Sequence, residues 1–344
     1  MSRLFFVTQQ VDPAHPTLGA AAAMVRALAQ RVDEVVVFAS AADVGALPGN
    51  VRFRSFAAPT QALRGLRFEA GLARELARGR PVTILAHMSP IYAVLAAPLA
   101  RPLRVPLLLW FTQQRAGGAL ARAERVVDGI LSVDVRSVPL DSSKVRAIGH
   151  GIDLDGFDCV ERAVHDAPLR LLSLGRYADV KGHDVVLRAL RLLLDLGVAA
   201  DLVVRGEEAT SSDADVRARL AGLVDQLALR AHASLLDPVP RTEVPALLAH
   251  ADVLVNATHG ASADKVVYEA AASCLPVVAA SPVFDTLLPD ELRFPDGDAG
   301  SLAARLAALP RARLPALGRE LRARVESAHS VAHWADAVLA ASRG

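Results

Sequence analysis

A loop with two cations follows a strand-like run in the second half of the chain. Residues 173–182 read Ser-Leu-Gly-Arg-Tyr-Ala-Asp-Val-Lys-Gly and lead into a helix near His183. Gly175 permits a sharp turn, and Arg176 and Lys181 flank the loop just before the helix N-terminus. Two cations beside helix amides suit a diphosphate group. A surface loop with two solvated cations is the alternative that the spacing leaves open.

A second anion-binding loop is predicted further along the chain. Gly260 opens the backbone there, and Ser262 or Asp264 can cap a helix that begins near Lys265, so that its first amides would face an anion. Glu269 lies one turn into this helix among valine and alanine residues. A carboxylate in such surroundings is costly unless something binds it, and two adjacent ribose hydroxyls would do so.

The elements that must position these loops are indicated by valine-rich runs alternating with helical stretches. The pattern predicts parallel sheets covered by helices, and such sheets bind ligands where their strands end. The first half has predicted strands at Leu4–Thr8, Glu34–Phe38, Val51–Phe56, Thr83–Ala86, Pro106–Phe111 and Gly129–Ser132. The second half has them at Arg170–Leu174, Ala200–Val204, Ala233–Leu235, Val253–Asn256 and Leu275–Ala279.

Length and composition indicate a folded, two-domain α/β protein. A chain of 344 residues suits two such domains with a cleft between them. Hydrophobic residues make up 52% of the sequence, which excludes a disordered chain. The longest apolar runs fall well short of the ~20 residues that cross a bilayer, and no signal peptide is apparent, so we predict a cytoplasmic protein.

Charge divides the chain into unlike halves. Residues 1–150 hold 18 Lys and Arg against 10 Asp and Glu, whereas residues 151–344 hold 20 against 27. The basic half could contact anionic lipid at the inner membrane face or a phosphate-bearing acceptor; solvated arginines are the simpler alternative. Cys159 and Cys274 lie far apart in the sequence, and we predict two reduced thiols.

Several segments together carry a family resemblance: Leu174–Tyr177, Lys181–Asp184, Ala251–Asn256, Tyr268–Ala270 and Leu275–Val278. In order and spacing they are similar to the donor domain of the retaining glycosyltransferases of family four, the glycosyltransferase group 1 type. The resemblance implies the α/β fold called GT-B, in which two Rossmann-like, doubly wound domains face a cleft. It also implies transfer of a sugar from a nucleoside diphosphate sugar to an acceptor, with retention of the anomeric configuration.

The resemblance also implies how the chain is divided. Residues 1–148 would form the acceptor-binding domain and 149–167 a linker. Residues 168–328 would form the donor-binding domain. Residues 329–344 would form a helix that packs back on the first domain.

In this family the Arg and Lys of the first loop bind the donor diphosphate, which implies catalytic electrostatic roles for Arg176 and Lys181. The Glu of the second loop binds the nucleotide ribose, which implies that role for Glu269. The remaining predicted donor-binding residues are Gly175, Ala261, Ser262, Asp264 and Lys265. The donor is a co-substrate, and we predict no metal, no other cofactor and no nucleic-acid partner.

Three positions depart from the family pattern. Ala261 stands where the family has a first Glu, which normally contacts the transferred sugar. Gln113 stands where many relatives have a His near the reacting sugar, and His87 is a further acceptor-side candidate. Cys274 fills a helix-end position that is usually Gly. Ala261 and Gln113 together allow an alternative, a non-catalytic subunit that binds a nucleotide sugar or a partner. The sequence does not specify the acceptor, and a lipid-linked or phosphate-bearing compound is one candidate class.

Overall fold

The computed structural model describes residues 2–13, 15, 19–114, 117–160 and 164–343. They form two compact units, one made of Met1–Asp153 together with Ala328–Gly344 and the other of Leu154–Ser327. Each unit contains a parallel sheet with helices packed on it. Residues 161–163 of the predicted linker lie outside the described residues.

The strands of the first unit are β1 (Arg3–Val7), β2 (Gln10–Val11), β3 (Glu34–Ala39), β4 (Ala41–Ala42), β5 (Val51–Ser55), β6 (Thr83–His87), β7 (Leu107–Trp110), β8 (Gly129–Ser132) and β9 (Val145–Ala147). Seven of them form one sheet in the order β5-β3-β1-β6-β7-β8-β9, and β2 pairs with β4. Every residue of β1, β3, β6, β7 and β8 is buried. Burial on both faces explains why these strands read as continuous hydrophobic runs.

The helices of the first part of the chain are α1 (Ala20–Ala29), α2 (Gln61–Arg78), α3 (Pro90–Ala100) and α4 (Gly118–Val126). An aromatic cluster joins α2 and α3 to the sheet. The Phe68 ring lies 5.7 Å from Phe38 and 5.0 Å from Tyr92, and Tyr92 lies 4.7 Å from Phe56. These rings meet mostly edge to face, the favoured geometry for aromatic pairs, and fix the start of α3 against α2.

The second unit contains β10 (Leu169–Leu174), β11 (Ala200–Arg205), β12 (Ala233–Leu236), β13 (Val253–Asn256) and β14 (Val277–Ala279). Its sheet has the order β12-β11-β10-β13-β14, with every pair parallel. Its helices are α5 (His183–Asp195), α6 (Ser211–Gln226), α7 (Val244–Ala249), α8 (Lys265–Ala272), α9 (Ala299–Ala308) and α10 (Leu314–Ala328). The strand order reverses between β10 and β13, which makes the loops after these two strands a topological switch point.

The last helix, α11 (Val331–Ala341), belongs to the first unit. Trp334 is fully buried, and its ring meets that of Trp110 edge to face at 5.8 Å. The Val331 N–H donates to the carbonyl oxygen of Ile152 at 2.8 Å, next to the point where the chain leaves this unit.

Cys159 and Cys274 form a disulfide, with their Cα atoms 4.9 Å apart and the two residues 115 positions apart in sequence. The prediction of two reduced thiols is therefore wrong. The fold brings the segment before β10 against the end of α8, and sequence separation carries no information about such a long-range contact. Cys274 has a φ of 55°, the left-handed conformation that makes glycine the usual residue at this helix end.

No helix in the described part of the chain is both long enough and apolar enough to cross a bilayer.

Candidate functional site

The first predicted loop leaves β10 and enters α5 through one turn of 3₁₀ helix, Asp179–Lys181. Gly182 follows with a φ of 62°, and a Cβ atom there would lie 2.3 Å from the carbonyl oxygen of Ala257. Glycine alone satisfies both the left-handed conformation and this close approach. Gly182 therefore lets the loop after β10 pack directly on the loop after β13.

His183, the first residue of α5, fixes the backbone of the first loop. Its Nε2 lies 3.2 Å from the carbonyl oxygens of both Gly175 and Arg176, and its Nδ1 lies 3.1 Å from the Ser173 hydroxyl. Because a carbonyl only accepts, Nε2 donates and Nδ1 accepts from Ser173. Burial lowers the pKa of His183, so the ring stays neutral and holds this arrangement at neutral pH.

The two cations of this loop differ in exposure. About half of the Arg176 side chain is exposed (49%), and its guanidinium reaches Asp213 across 3.4 Å. Lys181 is mostly buried, and its Nζ lies 2.8 Å from both carboxylate oxygens of Asp264. Arg176 is thus free to turn toward an anion, whereas Lys181 is held in a fixed position by its partner.

Asp264 connects the two predicted loops. Besides Lys181, its carboxylate accepts hydrogen bonds from Asn256 at 2.9 Å, Thr258 at 2.5 Å and Ser262 at 3.0 Å. Burial alone raises the pKa of the Asp264 carboxyl, but the Lys181 charge and these hydrogen bonds outweigh it and hold the pKa below its usual value. An ionised Asp264 therefore sits immediately before α8 and anchors Lys181.

Glu269 is buried in α8 and has two cationic neighbours. Its Oε1 lies 2.5 Å from an Arg241 guanidinium nitrogen and 3.4 Å from the Lys265 ammonium, one helical turn back. The Arg241 guanidinium also lies over the Phe157 ring at 5.7 Å. The carboxylate that the sequence predicts as a ribose ligand is therefore already neutralised by an arginine from the turn before α7.

The loop that carries Ala261 is held from the other side. His259 Nδ1 lies 2.5 Å from Asp296, and the Gly260 N–H donates to the same carboxylate at 2.9 Å. Ala261 supplies no carboxylate, and Asp264, the next acidic residue along the loop, is engaged with Lys181. Asp264 therefore does not supply the carboxylate that is absent at position 261.

The two acceptor-side candidates lie in the first unit in different surroundings. His87 is buried at the end of β6, where its Nδ1 lies 3.1 Å from the Thr8 hydroxyl and its ring stacks on Phe6 at 5.4 Å. Gln113 is exposed in the loop after β7. His87 is thus packed at the carboxyl end of a central strand, whereas Gln113 is open to solvent.

Each unit also contains a cavity. In the first unit, a cavity of about 400 Å³ lies where β1, β3 and β6 end, bordered by Gln9, Ser40 and Ser89 and by residues of α2 and α3. In the second unit, a cavity of about 690 Å³ lies along α5 and α6. The larger cavity includes none of Arg176, Lys181 and Glu269, so the chemistry predicted from the sequence lies outside it. In the described part of the chain, no His, Cys, Asp and Glu cluster could hold a metal ion.

Solved structures with the same architecture cover almost the whole chain. A glycosyltransferase from Rickettsia africae aligns with a TM-score of 0.77 at 13% identity, over 99% of this chain and 98% of that one. Sucrose-phosphate synthase from Thermosynechococcus elongatus aligns with a TM-score of 0.74 at 18% identity, over 100% and 98%. Anabaena HepE, solved with UDP and glucose, aligns at 0.73 and 14% identity, over 98% of each chain.

The fold is GT-B. The predicted fold class, with parallel sheets in two Rossmann-like units, is confirmed.

The family match by sequence lies within the second unit. Residues 168–311 match the family described as Glycosyl transferases group 1. D-inositol 3-phosphate glycosyltransferase of Mycobacterium leprae (strain Br4923) is 29% identical over 205 residues, 58% of this chain and 40% of that protein. The protein of the same name from Mycolicibacterium paratuberculosis is 30% identical over 221 residues, 59% of this chain and 48% of that one. The chain thus spans less than half the length of these two relatives. The matches support the group 1 glycosyltransferase family.

Several residues that organise the two loops of the second unit were missed in the sequence. Asn256 and Thr258 directly follow β13, and their position at a strand end was a signal that could have identified them. Arg241 gave no such signal, because it lies 28 residues before its partner Glu269 in a turn of ordinary composition. Only the packing of that turn against α8 brings the two together.

Proposed function

We propose that this protein is a retaining glycosyltransferase whose second unit binds a nucleoside diphosphate sugar. The observation that carries the proposal is the junction of the loops after β10 and β13, where Lys181 and Asp264 form a mostly buried ion pair beside Arg176 and the start of α8. This junction lies at the switch point of the sheet, where such folds bind ligands. The names of the relatives point the same way.

In this proposal the diphosphate lies between Arg176, Lys181 and the first amides of α8. The negative charge on the leaving diphosphate grows as the sugar bond breaks, and fixed cations and dipoles stabilise that charge without reorganising. His183 keeps the first loop in one conformation. Glu269 accepts hydrogen bonds from the ribose hydroxyls. The bond from the anomeric carbon to the diphosphate breaks, and the acceptor oxygen bonds to that carbon on the same face, which gives retention. The leaving phosphate takes the proton of the acceptor hydroxyl.

Ala261 then bears on the choice of sugar. A carboxylate at this position would hold a sugar hydroxyl, and a site built around such a contact rejects donors that lack the matching group. We propose that the native sugar is altered at that hydroxyl or is held there by the backbone and Ser262. Ala261→Glu should shift preference toward ordinary hexose donors.

A second candidate function is a subunit that binds a nucleotide sugar without turning it over. The observation that favours it is that Lys181 and Glu269, two expected donor ligands, are already ion-paired with Asp264 and Arg241. This candidate predicts nucleotide binding without transfer or hydrolysis.

Thermal-shift screening against UDP-, GDP-, ADP- and dTDP-sugars is the first test. A donor at 100 times its dissociation constant stabilises the protein by about 2.7 kcal/mol, so the correct base should stand out. Donor hydrolysis or transfer is then measured for the best ligand. Stabilisation with turnover supports the glycosyltransferase, stabilisation without turnover supports the second candidate, and stabilisation by none of them contradicts both.

Variants then locate the site. Arg176→Ala should lower turnover by about 10²-fold or more, because it removes a cation from the leaving group. The double variant Lys181→Met with Asp264→Asn removes the second cation together with its anionic partner, so that no buried charge is left unpaired. Its turnover should fall by a similar factor. Arg191→Ala, on the solvent side of α5, is the control and should be unchanged. Near-normal turnover in both site variants would place the donor elsewhere.

A further inference from the structure

The cavity of the first unit has one charged residue in its wall. Its polar wall residues are Gln9, Ser40, Gln61, Arg64, Ser89 and Tyr92, and the rest are apolar or glycine. Among the described residues that line it, Arg64 alone carries a charge, so no carboxylate of the wall neutralises the guanidinium. The cavity therefore has a positive potential and is suited to an anion.

The hydrogen bonding of Arg64 is incomplete within the described part of the chain. Its Nε is buried and has no hydrogen-bond partner in the described part of the chain. A buried N–H of a charged group without an acceptor costs far more than a neutral one, and native structures satisfy nearly all such groups. An anion in the cavity would neutralise the guanidinium charge, which no residue of the wall does.

The start of α3 forms another part of the same wall. Met88, Ser89 and Pro90 line the cavity, and α3 begins at Pro90, so the positive end of its dipole is at the wall. Met88 has a φ of 56°, a conformation that is uncommon for residues other than glycine. The Tyr92 ring is held by Phe56 and Phe68. The wall is thus rigid around Arg64.

We propose that this cavity binds a phosphate monoester carried by the acceptor, with the Arg64 guanidinium and the N-terminus of α3 facing the phosphate. A guanidinium presents several donors in a fixed fork that match a tetrahedral group with three terminal oxygens. The positive end of the α3 dipole adds to the attraction for its negative charge. The apolar part of the wall, including Ile91 and Leu95, would contact the rest of the acceptor. The assignment as an acceptor site depends on the proposed function, whereas binding of the phosphate monoester does not.

Calorimetry with phenyl phosphate as the probe, in the absence of any nucleotide, tests the proposal. Wild type should bind the probe, and Arg64→Ala should bind at least about tenfold more weakly. Arg74→Ala removes an exposed arginine from the same helix and should bind like wild type. Arg64→Gln is a second variant in case alanine disturbs the fold, which circular dichroism checks.

Three results would overturn the proposal. One is an absence of binding to wild type. Another is binding that Arg64→Ala keeps and Arg176→Ala loses, which would place the probe at the predicted diphosphate loop. The last is equal affinity for benzoate, which would make the site one for carboxylates. If none of the nucleotide sugars binds but the phosphate probe still does, the proposed function fails while this inference stands.

Discussion

At the scale of single residues, Glu269 carries the strongest conflict between its predicted role and its observed contacts. It is predicted to bind ribose hydroxyls, yet its carboxylate is paired with Arg241 and Lys265. A carboxylate has about four lone-pair sites, so it can accept from the arginine and from hydroxyls together. We therefore expect Arg241 to orient Glu269 for the nucleotide instead of blocking it.

Glu269→Gln tests this. The amide keeps the volume of the side chain but loses the charge that strengthens its hydrogen bonds. Binding of the nucleoside diphosphate should therefore weaken by about 1.5 to 3 kcal/mol of free energy. Calorimetry measures the dissociation constant directly. Glu243→Gln, an exposed neighbour of Arg241, is the control and should not change it. An unchanged constant in Glu269→Gln, with loss of thermal stability, would assign Glu269 a purely structural role.

At the scale of elements, α8 depends on the segment that precedes β10. The disulfide joins Cys159 to Cys274 just beyond the end of α8, and Arg322 donates hydrogen bonds at 2.5 Å to the carbonyl oxygens of both Phe157 and Ala272. Two kinds of contact thus tie one segment to the end of the helix that carries Glu269. This end of α8 is covalently fixed, whereas its start is held by the Asp264 network.

Loss of this disulfide should destabilise the second unit. Closing a loop of 115 residues stabilises a protein by about 4 to 5 kcal/mol in the chain-entropy description. Urea unfolding with and without reductant should show a loss of that order in wild type. The stability of the double variant Cys159→Ser with Cys274→Gly should not change with reductant. Its free energy of unfolding should exceed that of Cys159→Ser with Cys274→Ser by about 1 kcal/mol, because glycine accepts the left-handed conformation. Two titratable thiols in protein purified without reductant would contradict the disulfide.

At the scale of the whole molecule, the chain crosses from the first unit to the second and returns. It leaves the first unit at Asp153 and re-enters at Ala328. The parallel bridge between Ile152 and Ser330 brings the outgoing and returning segments together. The first unit is therefore completed only by the last residues of the chain, and α11 is part of its core.

Trp334→Ala should accordingly destabilise the first unit. The side chain is fully buried against Trp110, and removing a buried tryptophan costs about 3 to 5 kcal/mol of unfolding free energy. Circular dichroism during urea unfolding measures the loss without depending on tryptophan emission. His333→Ala, exposed one residue earlier on α11, should stay within about 0.5 kcal/mol of wild type. Equal stability of the two variants would mean that α11 does not complete the core.

Local patterns in the sequence identified most of the architecture. Valine-rich runs located all five strands of the second sheet and six of the seven strands of the first, because buried parallel strands need continuous apolar residues. Glycines at strand ends and the spacing of Arg176, Lys181 and Glu269 identified two loops that the fold does bring together. The short strands β2, β4 and β9 were not indicated, since two or three residues carry too little periodicity.

Long-range contacts were decided by the tertiary structure alone. Asp264 as the partner of Lys181, Arg241 as the partner of Glu269 and the Cys159–Cys274 disulfide all join residues that are far apart in sequence. A sequence records which side chains are available and which local conformations they favour. Which charges meet depends on how strands and helices pack, because burial makes each unpaired charge costly and so selects the one arrangement in which these groups find partners.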